Sequence, residues 1–449
     1  MLTALKEFLR GILAPTLYVT VFITFLASIR KRAELALYLL AIFAPLPAVW
    51  YQLHQFPLGK DTMDILIFGA FLGIIFNKGG FDKAPGTLLL ATFMIVSYVA
   101  LWNTTQRFNL PLPLTTDNPV LPDWKNYVEM IFLYFLAYSA LKTEEQQKVM
   151  LVIMATVVLV IAVHEFRNFT EGGSFSYDKR AEGPFWIMGL GANHLGAFIA
   201  DYGGLLLGMF LIDKHKYRKW LYLAAVAFSL HPLFFSYSRG AYIAMLAVII
   251  VYGLINKRSL LVLVVALVLA WQTVLPQTVV ERIEMSETPQ GQLESSAAER
   301  IILWEHAKQL FNEHPVFGIG FNGFGYTLAG ERLTDTHNFY MKIASEQGVI
   351  GLILLGLVLF RALTSGWRLY RNGQSTFHQG LGLGFIGCVT ALAVSNIFGD
   401  RFSYFTLGSY FWLLWGIVER AELLSQEQLH DSTIPDSAAS TTDSAHSAS

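Results

Sequence analysis

The sequence predicts an all-α fold: a polytopic transmembrane helical bundle of about 12–13 spans with one large, partly helical loop outside the bilayer. Of 449 residues, 54% are hydrophobic and only 14% charged, where a soluble domain carries about 25% charge. Apolar runs long enough to cross a bilayer recur along almost the whole chain. Between two of them, residues 280–346 form the one sizeable polar excursion, able to build a water-facing site.

The composition also excludes several classes. A net charge of −1 argues against nucleic-acid binding. The single Cys388 lies in an apolar run, which leaves no intrachain disulfide and no thiolate zinc site. The 34 Phe, 19 Tyr and 10 Trp suit helices with interfacial anchors. The first apolar run ends at Ser28 without a small-residue cleavage pattern and meets Arg30-Lys31-Arg32, so it reads as a retained anchor.

Apolar runs fall near 11–29, 33–52, 63–78, 86–102, 124–141, 147–165, 186–212, 220–237, 239–255, 259–279, 347–367, 377–398 and 403–419. Lys214, Lys216, Arg218 and Lys219 crowd one connection, Lys257 and Arg258 another, and Arg368 with Arg371 a third. Alternating spans put all three on one side, which the positive-inside rule makes cytoplasmic. Segments 103–123, 166–185, 238–239 and 280–346 then face outward, and the C-terminal tail faces in. Tracing backward leaves the N-terminus outside, although it carries Lys6 and Arg10. Either thirteen spans exist or one early segment is re-entrant. The tail from Leu424 is rich in Ser, Thr, Ala and Asp and is expected to be disordered.

Within the excursion, Ser296-Ala-Ala-Glu299 reads as a capping box, and Ile301, Trp304, Ala307 and Leu310 with Phe311 recur at helical steps until Pro315 ends the helix. Arg300 sits in its first turn, where the helix dipole disfavours a cation. Gly318, Gly320, Gly323 and Gly325 permit tight turns. No strand precedes them, so the GxGxxG spacing is not a dinucleotide site. His337 opens a further helix running through Met341 and Ala344. Glu346, nine positions on, falls on the opposite face and either bonds neighbouring backbone or is a hydrated rim charge.

Arg239 lies in Ser238-Arg239-Gly240 between two spans that barely separate. A guanidinium at membrane depth either snorkels or needs an anion, a partner or a wet cavity. Arg180 precedes Gly183-Pro184 and then Asn193-His194 in the next span. His194, Asp201, His231 and Arg361 are further polar groups inside spans, each readable as a packing hydrogen bond or as a ligand.

This ordered set resembles the O-antigen ligase and polymerase superfamily: Arg180, Asn193-His194-Leu195, Ser238-Arg239-Gly240-Ala241, Arg300, His314-Pro315-Val316-Phe317-Gly318-Ile319-Gly320, His337-Asn338, then Glu346, Gly348 and Gly351. The resemblance covers roughly residues 170–365. Ala192 stands where many relatives carry a proline before the asparagine.

The resemblance implies an O-antigen ligase-like membrane domain over 1–423, with a periplasmic catalytic loop at 280–346 and a cytoplasmic tail at 424–449. It implies a glycosyltransferase of the bacterial inner membrane that needs no metal ion or other cofactor. Its donor would be an undecaprenyl-diphosphate-linked glycan and its acceptor lipid A-core or another glycan. Arg180 and Arg239, with Arg300 as a third, would bind the diphosphate, because guanidinium forks match phosphate oxygens. His337 would act as general base, and one base without a carboxylate nucleophile points to inversion. Asn193, Ser238, His314, Asn338 and Glu346 would support them. Polymerisation of repeat units, or transfer to protein Ser/Thr, competes with ligation to lipid A-core. A transporter of the same lipid-linked glycan is a further alternative, opposed by ionisable groups gathered at one face instead of the midplane.

Overall fold

The computed structural model describes residues 2–30, 32–169, 172, 174–285, 295–328 and 335–433. Helices account for its regular structure, with no strand among the described residues, as the sequence predicts. At least six of the described helices are long and apolar enough to cross a membrane, and up to eight if two bent pairs each count as one span. The chain is therefore a polytopic membrane protein.

The first half runs through α1 (Leu2–Arg30), α2 (Glu34–Phe43), the short α3 (Pro47–Trp50), α4 (Thr62–Lys78), α5 (Thr87–Arg107), α6 (Leu121–Ala140) and α7 (Glu144–Asn168). The run expected to span at 33–52 does not form one straight helix. It turns by 100° between Phe43 and Pro47. Pro45 and Pro47 supply no backbone donor there, so the helix cannot propagate through them. Such a bend is the geometry of a broken span or of a re-entrant segment.

The centre is built from α8 (Ala192–Ile212), α9 (Lys216–Phe235) and α10 (Arg239–Ile255), followed by α11 (Ser259–Val274) and α12 (Gln277–Glu284). Helix α8 is buried along most of its length. It lies so close to α16 (Thr376–Ser395) that a methyl on Gly208 would meet Gly384 Cα at 2.5 Å, small residues being what lets membrane helices approach. Tyr252 of α10 closes the same junction by donating to the Gly204 carbonyl at 2.7 Å. Beyond Leu275-Pro276 the chain bends by 106° into α12, so the span expected to reach 279 stops at Val274.

The excursion folds as α13 (Ser295–Glu313), a glycine-rich turn, α14 (Phe324–Thr327) and the entry to α15 (Phe339–Asn372). Ser296 lies inside the first turn of α13, and its side chain, like residues 286–294 and 329–334, lies outside the described residues. Leu303, Ala307 and Leu310 pack on Ile319 and Phe324. Ile301, expected on that apolar face, is instead 41% exposed.

A break in α15 anchors the excursion. Gly348 adopts φ 65°, which interrupts the helix and frees carbonyls that would otherwise bond within it. The freed groups bind the loop: Ile319 N donates to Ser345 O and Gly320 N to Glu346 O, both at 2.9 Å, and Val349 N donates to Pro315 O at 2.8 Å. On the other side, Phe321 N donates to Ala100 O at 3.0 Å, and Thr104 Oγ1 to Phe321 O at 2.7 Å. Residues 315–321 are thus threaded between α5 and α15.

The last helix, α17 (Phe405–Thr433), runs beyond Leu424, where the tail was expected to begin. Ser425 Oγ lies 3.3 Å from His378 Nδ1, which ties the start of this extension to α16, and just before it Arg368 Nε of α15 meets Glu422 at 2.5 Å. Residues 434–449 lie outside the described residues.

Candidate functional site

Three segments that are distant in sequence meet where α9 turns into α10. Tyr237 takes a left-handed φ of 49°, so the chain reverses sharply and Ser238 caps α10 with Arg239 as its first residue. The segment before α8 is pinned to this turn by Ala181 N donating to Phe235 O at 2.9 Å. Arg180 then folds over the turn. Its Nε and Nη2 donate to Ser236 O at 2.9 and 2.6 Å, and Nη2 also donates to Asn193 Oδ1 at 2.8 Å.

Around this turn lies a cavity of about 540 Å³. Its walls include Arg180, Arg239, Arg282 and Arg300, with Asn193 and Ser238 and the rings of Tyr177, Tyr237, Trp304 and Phe398. No carboxylate is among its described lining residues. Partial burial, reinforced by the Arg282 charge, holds the Arg180 guanidinium down to about 10. Like charges gathered in a poorly solvated space disfavour one another and favour a bound anion. Arg239 also begins a helix, where the dipole opposes a cation, so an anion relieves that penalty as well.

Arg282 is a cavity arginine the sequence reading did not single out. It is 6% exposed, its Nε donates to Tyr237 O at 3.4 Å, and its guanidinium lies 5.2 and 5.1 Å from the Phe175 and Tyr177 ring centres. The available signal was a basic residue in the polar excursion with apolar Val279 and Val280 one turn before it.

His337 does not line this cavity but stands beside it. The indole of Trp304, a wall residue, donates to the Thr336 carbonyl at 2.9 Å. His337 has φ 50° and a half-exposed side chain, and its Nδ1 lies 3.6 Å from Asp335 Oδ2. Desolvation first, then the charges of Arg300 and Arg401, lower the imidazole below its ordinary range, while Asp335 opposes them. The shift favours the neutral ring, the form a proton acceptor needs.

The supporting residues divide. Asn193 and Ser238 are in the cavity wall. Asn338 caps α15, its side chain accepting from Tyr340 N and Met341 N at 3.0 and 3.1 Å, and so fixes the position of His337. Glu346 is buried and accepts from Asn322 N and Phe324 N at 2.9 and 3.3 Å, a backbone anchor away from the imidazole. His314 bonds Arg107 at 3.0 Å and lies outside the cavity wall.

An apolar groove of about 550 Å³ adjoins the charged cavity, lined by α9, α10, α11 and α12, with Leu233, Leu246, Leu267 and Trp271 among its walls. Ile243 lines both spaces, so the charged cavity and the hydrocarbon-like groove share a wall residue.

No curated protein matches the chain. Residues 224–356 match the family model described as O-antigen ligase, a stretch that contains Arg239, Arg282, Arg300 and His337 but not Arg180 or Asn193. That segment is similar to the O-antigen ligase family, whose members are membrane enzymes that transfer glycosyl groups.

Proposed function

We propose that this protein transfers a glycan from an undecaprenyl-diphosphate carrier to an acceptor hydroxyl, with lipid A-core as the acceptor, on the periplasmic face of the bacterial inner membrane. The observation that carries this reading is the four-arginine cavity lying beside an apolar groove, with Ile243 in the wall of both. An amphiphile with a doubly charged head and a long hydrocarbon tail matches that pair of spaces, with the polyprenyl chain in the groove.

In the transfer step, the acceptor oxygen bonds to the anomeric carbon as the bond from that carbon to the diphosphate oxygen breaks. The proton leaves the acceptor hydroxyl for the His337 imidazole, and the electron pair leaves with the diphosphate. Arg180, Arg239, Arg282 and Arg300 stabilise the charge that develops there, being preorganised around one cavity. His337 supplies the base, a role worth typically ~10²–10⁴ in rate. Attack from the side opposite the leaving group inverts the anomeric centre.

The transport alternative has less support. Arg361 pairs with Glu419 at 3.1 Å, Asp201 accepts from Ser395 Oγ at 3.4 Å, and His231 packs among Phe166, Phe169 and Phe235. These are separate packing arrangements on different helices, not one route across the bilayer.

Reconstitution in vesicles with labelled undecaprenyl-diphosphate glycan and purified lipid A-core tests the reading. A new glycosidic bond to the core is expected. Movement of the lipid across the bilayer with no bond formed would overturn the transferase reading, and elongated donor glycan with unmodified core would replace ligation by polymerisation.

A further inference from the structure

A second, chemically different pocket lies at the first turn of α15, the helix that His337 precedes. It measures about 200 Å³, the space of a single sugar ring, and lies between α6, the Phe321-Asn322 turn, the first turns of α15 and Ser403-Tyr404. Its polar groups are the exposed Asp123 and Asn126, together with Asn322, whose Nδ2 donates to Asp123 Oδ2 at 2.8 Å. Tyr127, Phe321 and Tyr404 supply aromatic surface. Lys342 also faces this space, but Asp400 takes up its charge at 2.9 Å and Ser403 Oγ holds the ammonium at 3.2 Å.

The pocket therefore carries a carboxylate and two amides without a free cation to draw an anion. Carboxylate oxygens accept from hydroxyls, and amides both donate and accept. Paired with ring faces, these groups suit a neutral, polyhydroxylated ring and repel a diphosphate, the opposite of the arginine cavity.

Two links join this pocket to the surroundings of the base. Tyr404 stacks edge-on against His194 with ring centres 5.5 Å apart, and His194 follows Asn193, a wall of the arginine cavity. Asp335, 3.6 Å from the imidazole, also acts electrostatically on Tyr404. His337 is thus linked to both spaces, through Trp304 of the cationic cavity, which holds the carbonyl just before it, and through Asp335 to Tyr404 of the polar pocket.

Building on the proposed transferase function, we propose that the pocket of Asp123, Asn126, Asn322 and Tyr404 binds a neutral sugar of the acceptor and presents its hydroxyl to His337.

Asn126→Trp fills the pocket from an exposed position, and Asp123→Ala removes its carboxylate. In nanodiscs, binding of fluorescent core oligosaccharide is titrated against wild type and both variants without donor, and transfer kinetics are then measured with the donor present. Binding should weaken by about tenfold or more in each variant, with the acceptor KM rising in step and the donor KM not following. Unchanged oligosaccharide binding in Asn126→Trp, no binding by wild type, or a rise confined to the donor KM would each overturn the assignment. Wild type that binds the oligosaccharide, loses it in the variants and yet forms no glycosidic bond would support the pocket and defeat the transferase reading instead.

Discussion

Asn193 Oδ1 accepts a hydrogen bond from Arg180 Nη2 at 2.8 Å, linking the first turn of α8 to a guanidinium that also spans the Ser236 carbonyl. Three bonds from two nitrogens hold the fork in one plane, with its remaining donors available to the cavity. Lysine has one nitrogen at that position and cannot keep the geometry. Arg180→Lys should lower kcat/KM for the lipid-linked donor by about tenfold or more, the loss of one charge-assisted bond. Asn193→Ala should give a smaller loss in the same parameter. Donor titration of the reconstituted variants checks both, and an unchanged Arg180→Lys enzyme would remove this residue from the site.

The imidazole of His337 makes a signed pH prediction. Only the neutral ring accepts a proton, so activity should fall on the acid side as the ring is protonated. Desolvation and the charges of Arg300 and Arg401 lower its proton affinity, so the acid limb should lie below the ordinary 6.5. Arg300→Gln removes a cation that disfavours the imidazolium, which should move that limb to higher pH. Asp335→Asn removes the anion that favours it and should move the limb lower. His337→Ala should cost ~10²–10⁴ in kcat and abolish the limb while the protein still inserts. Profiles of kcat/KM against pH decide this; a limb that stays in place in both neighbours' variants would break the electrostatic link.

Much of this site was legible as residue types in order, and much less as contacts. Arg180, Arg239 and Arg300 stood out because cations at membrane edges and helix starts carry an energetic penalty that needs a reason. Arg282 carries a similar penalty but hides in a short amphipathic helix, created only when Pro276 bends the chain. Asp123 and Asn126 were unreadable as site residues, since an ordinary helix start explains them until Asn322, 199 positions away, is folded against them. The helical membrane class was legible from apolar run length, although six to eight of the described helices meet the length and apolarity of a span against the 12–13 expected, and the 100° turn after Phe43 depends on how two prolines are used locally. The extension of α17 escaped notice because its polar composition is stabilised by His378 on another helix.

The break at Gly348 should be intolerant of any side chain. At φ 65° a Cβ would stand 2.4 Å from the Val316 carbonyl oxygen, backbone that cannot yield without releasing the loop. Gly348→Ala should destabilise the fold by at least ~2 kcal/mol, combining left-handed strain with the clash. The same displacement would unseat Ile319 and Gly320 from the Ser345 and Glu346 carbonyls, so amide exchange across 315–321 should accelerate. Gly356, which has open space around its Cβ position, is the control, and Gly356→Ala should leave thermal unfolding within about 0.5 kcal/mol.

Ile243 sits where charge gives way to hydrocarbon, and its side chain is 47% exposed at the junction of the two spaces. Its exposure means a larger apolar side chain can be accommodated without overpacking the bundle, while the passage between head and tail sites narrows. Ile243→Trp should therefore raise the KM for an undecaprenyl-linked donor by about tenfold, yet spare a water-soluble donor analogue with a short alkyl tail. Ile243→Ala should widen the junction and leave both donors close to wild type. The comparison separates a tail that crosses this point from one that lies elsewhere on the bundle, because in the second case chain length and the tryptophan would act independently. Equal KM increases for long- and short-tailed donors would place the hydrocarbon outside the groove.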